Sequence, residues 1–185
     1  MSTRGNVVFA NNWYMKENNI NSQDIDENTR ILEGIIETGY KIYIHSDMYP
    51  SGALKMLQKY LKLDGAKHRA YDTSYLSAWF IGFKCMHMIP YTRAMFAEPR
   101  VDIDSVRKCY GNMEKSRDFF GVGLEHECSD DADFNYIITP NIKGESYYNN
   151  DNSFDIHIFD GLWKHICTVG SENSLQIYEH MDWWY

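Results

Sequence analysis

The sequence predicts an α+β fold, a mixed or antiparallel β-sheet with helices packed mainly on one face. Three observations predict it. In the first half of the chain, apolar residues recur at spacings of three and four, the period of a helix with one buried stripe. From Phe120 onward the period shortens toward two, in short runs separated by Gly, Asn, Asp and Ser. The connections between these late runs are too short for the crossovers that parallel neighbours require, so consecutive late strands are antiparallel.

The elements follow in order. Gly5 to Ala10 combines β-branched and aromatic residues in an apolar run suited to a central first strand, which Asn11 and Asn12 end. Lys16 to Asn28 is rich in Asn, Asp, Glu and Ser and reads as a loop. Ile31, Leu32, Ile35 and Ile36 predict an amphipathic helix over Glu27 to Thr38, capped by Gly39. Tyr40 to His45 alternates as a strand, with Ile42 and Ile44 on one face and Lys41, Tyr43 and His45 on the other. Pro50 starts a helix whose buried stripe is Ala53, Leu54, Leu57, Tyr60 and Leu61, with Gly65 just past its end. Asp72 and Thr73 offer N-caps for another helix to about Met88, with Leu76, Trp79, Phe80, Phe83, Met86 and His87 facing inward, and Pro90 stops it. Val101 to Phe119 has helical spacing broken by Gly111-Asn112. Gly121 to Glu127, Asp133 to Thr139, Phe154 to Phe159 and Leu162 to Val169 are the strand candidates of the second half, and Asp160-Gly161 is a two-residue hairpin signal between the last two. We read residues 1–185 as a single domain, with a polar loop and an extra helix at about 11–39.

Composition bounds the function. The chain of 185 residues carries 44% hydrophobic residues, enough apolar area to fold without a disulfide or a metal. Cys85, Cys109, Cys128 and Cys167 are scattered with no CxxC pair, which suits reduced thiols and a cytoplasmic setting. No apolar stretch approaches the roughly 18 residues of a membrane span, and the N-terminus has no signal-peptide core, so a soluble intracellular protein is expected. A formal net charge of −8 argues against duplex nucleic acid, which demands clustered Lys and Arg. The basic positions Lys55, Lys59, Lys62, Lys67, His68 and Arg69 read first as a solvated helical face.

The chemistry-bearing stretch is the strand-to-helix corner Lys41 to Leu54. His45 is a candidate acid or base near neutral pH, and Asp47, two residues on, is its candidate orienter. The helix terminus at Pro50 offers backbone amides at Ser51 and Gly52 to an anion, Tyr49 lines the same bend, and Arg4 is a candidate partner for Asp47 or for an anionic ligand. The plainer alternative is structural: Asp47 caps the turn, His45 bonds a neighbouring strand, and Arg4 forms an Arg–Asp salt bridge.

Met1-Ser2-Thr3-Arg4-Gly5 before a strand, followed by His45-Ser46-Asp47-Met48-Tyr49-Pro50-Ser51-Gly52, resembles a group of small, uncharacterised bacteriophage and bacterial proteins. Those proteins open with Met-Ser-Thr-Arg and carry a His-x-Asp-x-Tyr-Pro-x-Gly corner. The resemblance covers roughly 20 residues and implies a phage setting without implying a reaction. This chain has Met48 where the group commonly has Gly.

Other constellations carry weaker signals. Ser2, exposed by removal of Met1, is a conceivable N-terminal nucleophile with no supporting partner. Glu125-His126-Glu127-Cys128 with Asp130, Asp131 and Asp133 holds ligand-competent side chains, but alternation sends Glu125 and Glu127 away from His126 and Cys128, so no metal site is assigned. His157 shares a strand face with Asp155, and His165 shares one with Cys167, so cross-strand contacts among them are open. Tyr178 and Trp183-Trp184-Tyr185 either anchor a partner or cover an edge of the fold.

The expectation is a non-catalytic phage-type accessory protein that needs no cofactor and binds a host protein or a small anionic metabolite, as an inhibitor of a host defence function. The alternative is a small hydrolase or transferase with a His45/Asp47 acid–base pair.

Overall fold

The computed structural model describes residues 3–25, 29–45, 48–88, 122–143 and 151–173, with the backbone alone for Thr29 and residues 85–88. The expected helix over Val101 to Phe119, and the candidates Ser2, Asp47, Tyr178 and Trp183 to Tyr185, lie outside these residues, as do the side chains of Met86 and His87.

The fold is α+β. Among the described residues six strands, β1 (Gly5–Phe9), β2 (Tyr40–Ile44), β3 (Val122–Glu125), β4 (Phe134–Asn141), β5 (Ser153–Asp160) and β6 (His165–Gly170), form one mixed sheet in the order β3-β2-β1-β4-β5-β6. Every neighbouring pair is antiparallel except β1 and β4, which run parallel with Gly5 opposite Phe134 and Phe9 opposite Ile138. β1 is buried along its whole length at the centre of the sheet, where Val7, Val8 and Phe9 face the two cores and Asn6 must find polar partners.

Two cores follow from strand alternation. On one face Val7, Phe9, Ile42, Ile44, Tyr136 and Ile156 pack against α3 (Pro50–Leu61), α4 (Asp64–His68) and α5 (Thr73–Met88). Their alternates Val8 and Ile137, with Ala10 and Phe159, pack on the other face against α1 (Asn12–Glu17) and α2 (Thr29–Thr38), through Met15, Leu32 and Ile35. The larger helical layer is thus the α3–α5 side.

The parallel seam carries a polar latch. The buried Asn6 amide of β1 donates to Asn135 Oδ1 at 2.7 Å and to the Ser129 carbonyl at 3.0 Å, and Asn135 donates to the Asp160 carbonyl at 2.8 Å. Burying a carboxamide is tolerated only when its donors and acceptors are met.

Four local expectations are corrected. Asn11 does end β1, but its side chain then accepts from the Trp13 and Tyr14 amides at 3.0 and 3.3 Å and starts α1, a helix in a stretch read as strand end and loop. A 3-10 turn, Ser22–Asp24, follows inside the same expected loop. Gly65 lies past the end of α3, as expected, but within a further short helix, α4, rather than in a turn, and the Trp79 ring comes within 2.9 Å of where its Cβ would stand. Trp79 itself is 48% exposed, off the stripe of Leu76, Phe80 and Phe83, and stacks on Tyr75 at 4.9 Å. The β5–β6 connection is Gly161 to Lys164, not two residues: Asp160 Oδ1 accepts from the Leu162 and Lys164 amides at 2.9 Å each. Trp163 adopts φ 63° there and lays its ring on Phe159, leaving Leu162 exposed.

Candidate functional site

The corner is pinned by its backbone. The Met48 amide donates to the Thr3 carbonyl at 3.2 Å, and the buried Tyr136 hydroxyl donates to the Met48 carbonyl at 2.6 Å. Pro50 at the first helical position then launches α3, as its fixed φ and missing donor favour. The first turn consumes amides of its own: the Gly52 and Ala53 N–H groups both donate to the Tyr49 carbonyl, at 2.9 and 2.8 Å. Ser51 is half-buried beside them and Gly52 is exposed.

The candidate side chains divide between the two faces of the sheet. Tyr49 is 42% exposed and leans over Phe134 at 5.6 Å between ring centres, on the side of α3. Arg4 and His45 belong to the other side. Arg4 forms its ion pair with Asp131, and its backbone amide donates to Asp133 Oδ2 at 2.8 Å. Asp131 also accepts from Ser129 Oγ at 2.7 Å and from the Tyr43 hydroxyl, whose oxygen lies 3.4 Å from His45 Nδ1. His45 is exposed one residue past β2, its ring edge-on to Tyr43 with centres 6.2 Å apart. Arg4, Asp131, Tyr43 and His45 therefore form one chain of polar contacts at the sheet end.

Electrostatics follow from these partners. The Ser129 hydroxyl, with help from Arg4 and Tyr43, holds the Asp131 carboxyl below its ordinary range. Partial burial, and then the charge of Asp131, pushes the Tyr43 hydroxyl upward. With Asp131 taking up the charge of Arg4, the Asp133 carboxylate on the Arg4 amide adds negative charge at the corner, and Glu125, opposite Lys41 in the β2–β3 register, lies within electrostatic reach of Tyr43.

Tyr43 was legible as a face-mate of His45 by alternation. Asp131 and Ser129 were not: they reach Arg4 and Asn6 across more than a hundred residues, with no local signal in the sequence. Among the described residues no group of three or more His, Cys, Asp or Glu is arranged to hold a metal ion. Cys128 and Cys167 are free and half-buried, and burial raises each thiol to about 11.

Compared with known proteins, the chain matches no protein-family model, and no curated protein or solved structure matches it significantly. Among the described residues no helix is long and apolar enough to cross a membrane.

Proposed function

We propose that this chain is a binding protein of the phage accessory kind, acting in the host cytoplasm, which docks a Lys/Arg-rich segment of a host protein on the corner and thereby inhibits it. One observation carries the reading: the guanidinium of Arg4 is already matched by Asp131, and two further carboxylates stand near it, Asp133 on the Arg4 amide and Glu125 within electrostatic reach of Tyr43. Across the same part of the sheet, on the α3 face, Tyr49 and Leu124 are 42% and 67% exposed and supply apolar anchors. Carboxylates on one face and apolar anchors on the other suit a basic segment that wraps the edge of the sheet, and the acidic charge repels a small anion. The phage setting rests on the resemblance of the two sequence motifs, and the inhibitory role on the acidic character of a small chain.

Fluorescence polarisation with a labelled arginine-rich peptide and a matched acidic peptide tests this. The basic peptide should bind saturably and weaken as salt rises. Tyr49→Ala should reduce affinity several-fold, and Glu125→Lys with Glu127→Lys should abolish it. Equal binding of both peptides, or binding indifferent to these substitutions, defeats the reading. A second reading, a small hydrolase or transferase with His45 as acid or base, is favoured by the Tyr43 hydroxyl beside His45 Nδ1. It requires turnover of an activated ester or phosphate that disappears in His45→Ala.

A further inference from the structure

The opposite end of the sheet holds a separate feature. Where the parallel β1 and β4 finish, α1, the 3-10 turn and residues Pro140 to Lys143 enclose a groove of about 550 Å³. That volume falls within the range of small-molecule sites, roughly 300–1,000 Å³.

The wall of the groove at Ser22 is backed by a built hydrogen-bond network. Ser22 Oγ donates to Asp155 Oδ2 at 2.6 Å and lies 3.0 Å from Thr139 Oγ1, which is 3.0 Å from His157 Nε2. His157 Nδ1 is 2.9 Å from Thr168 Oγ1, and Thr168 Oγ1 is 3.0 Å from His165 Nε2. Asn141 Nδ2 also donates to Asp155 Oδ2, at 2.8 Å. One assignment of hydrogens satisfies every one of these contacts: His165 donates to Thr168, Thr168 to His157 Nδ1, His157 Nε2–H to Thr139, Thr139 to Ser22, and Ser22 to Asp155. His157 and Thr139 are fully buried. Ser22 Oγ also lies 3.2 Å from His157 Nε2, so the chain uses all of its hydrogen-bonding capacity and fixes the wall of the groove rigidly.

The lining defines a ligand class. Four carboxamides, Asn12, Asn19, Asn21 and Asn141, line the groove together with Ser22, and among the described residues no carboxylate lines it. A carboxamide offers a donor and an acceptor in one plane, the complement of a nucleobase edge. Lys16, exposed on α1, places an ammonium at the same groove, where it can meet a phosphate. Met15, Ile20, Pro140 and Ile142 supply apolar surface for a flat ring.

We propose that this groove is a nucleotide site that takes a nucleoside monophosphate, its base read by the asparagines and its phosphate held by Lys16. The inference does not depend on the corner, which lies at the other end of β1 and β4.

Isothermal titration of the full chain with the four ribonucleoside 5′-monophosphates, the matching nucleosides and inorganic phosphate tests it. At least one monophosphate should bind saturably, and tighter than its nucleoside and than phosphate alone. Lys16→Ala should cost about tenfold for that monophosphate and leave the nucleoside unchanged, as removal of one charge-assisted contact implies. Asn12→Ala should weaken nucleotide and nucleoside alike, with far-UV circular dichroism confirming that the variant folds. Glu125→Lys at the corner should leave nucleotide binding intact. No saturable heat with any monophosphate, nucleoside binding as tight as nucleotide binding, or affinity indifferent to Lys16→Ala overturns the proposal.

Discussion

His157 is fully buried between Thr139 and Thr168, and burial depresses its imidazole from 6.5 to about 4. Folding lowers its proton affinity, so the unfolded chain takes up the proton first. Stability is therefore complete above about pH 6.5, falls as the pH drops toward about 4, and changes no further from this group below that. The window corresponds to about 3 kcal/mol at ~1.36 kcal/mol per unit. Urea denaturation at pH 7 and pH 4 should show wild type losing more stability than His157→Gln by that order; equal losses would show that the imidazole is not held neutral. The sequence placed His157 and Asp155 on one face of a strand but gave no sign of Ser22, which arrives from a turn 133 residues earlier. Side-chain meetings across strands depend on register, and register is not written locally. For the same reason Arg4 could be expected to find an aspartate, while its choice of Asp131 could not.

At the scale of elements, hydrophobic period was a reliable guide wherever one stripe or one face is buried. β2, α3 and the stripe of α5 follow it directly, as do β4 and β5. Short elements made by side-chain capping escaped it. α1 is six residues long and exists because Asn11 caps it, while the Asp160 carboxylate organises the β5–β6 loop. Glycines sort by what surrounds them. A Cβ at Gly39, between α2 and β2, would stand 2.7 Å from both the Ile35 carbonyl oxygen and Val8 Cγ1, so this glycine answers to close packing as well as to helix capping. Gly82, exposed on α5, would meet nothing within 4 Å. Gly39→Ala should destabilise by about 1–3 kcal/mol through overpacking. Gly82→Ala should stabilise by about 0.5–1 kcal/mol through helix propensity. Chemical denaturation of both variants checks the pair, and a shift of the same sign in the two would contradict it.

For the whole molecule, the α+β class and the mixed sheet were legible from the change of period along the chain. The strand order was not, since it turns on a single parallel contact between β1 and β4. That contact joins two antiparallel halves, β3-β2-β1 and β4-β5-β6, and the Asn6–Asn135 latch lies across it. Asn6→Ala removes a buried donor and leaves Asn135 Oδ1 and the Ser129 carbonyl without it, a loss of about 1–3 kcal/mol for an unmet buried group. If the halves join in the folding transition state, stopped-flow refolding of Asn6→Ala should be slower than wild type. An unchanged refolding rate with faster unfolding would place the joining after the barrier.

The parallel pairing also sets a schedule for synthesis. On the ribosome β1 emerges first and can find β2 within a few dozen residues, but its other edge has no partner until β4 arrives, Gly5 being matched by Phe134. Throughout that interval a strand carrying the apolar run Val7-Val8-Phe9 keeps one flank open, the kind of edge that invites association with neighbouring nascent chains.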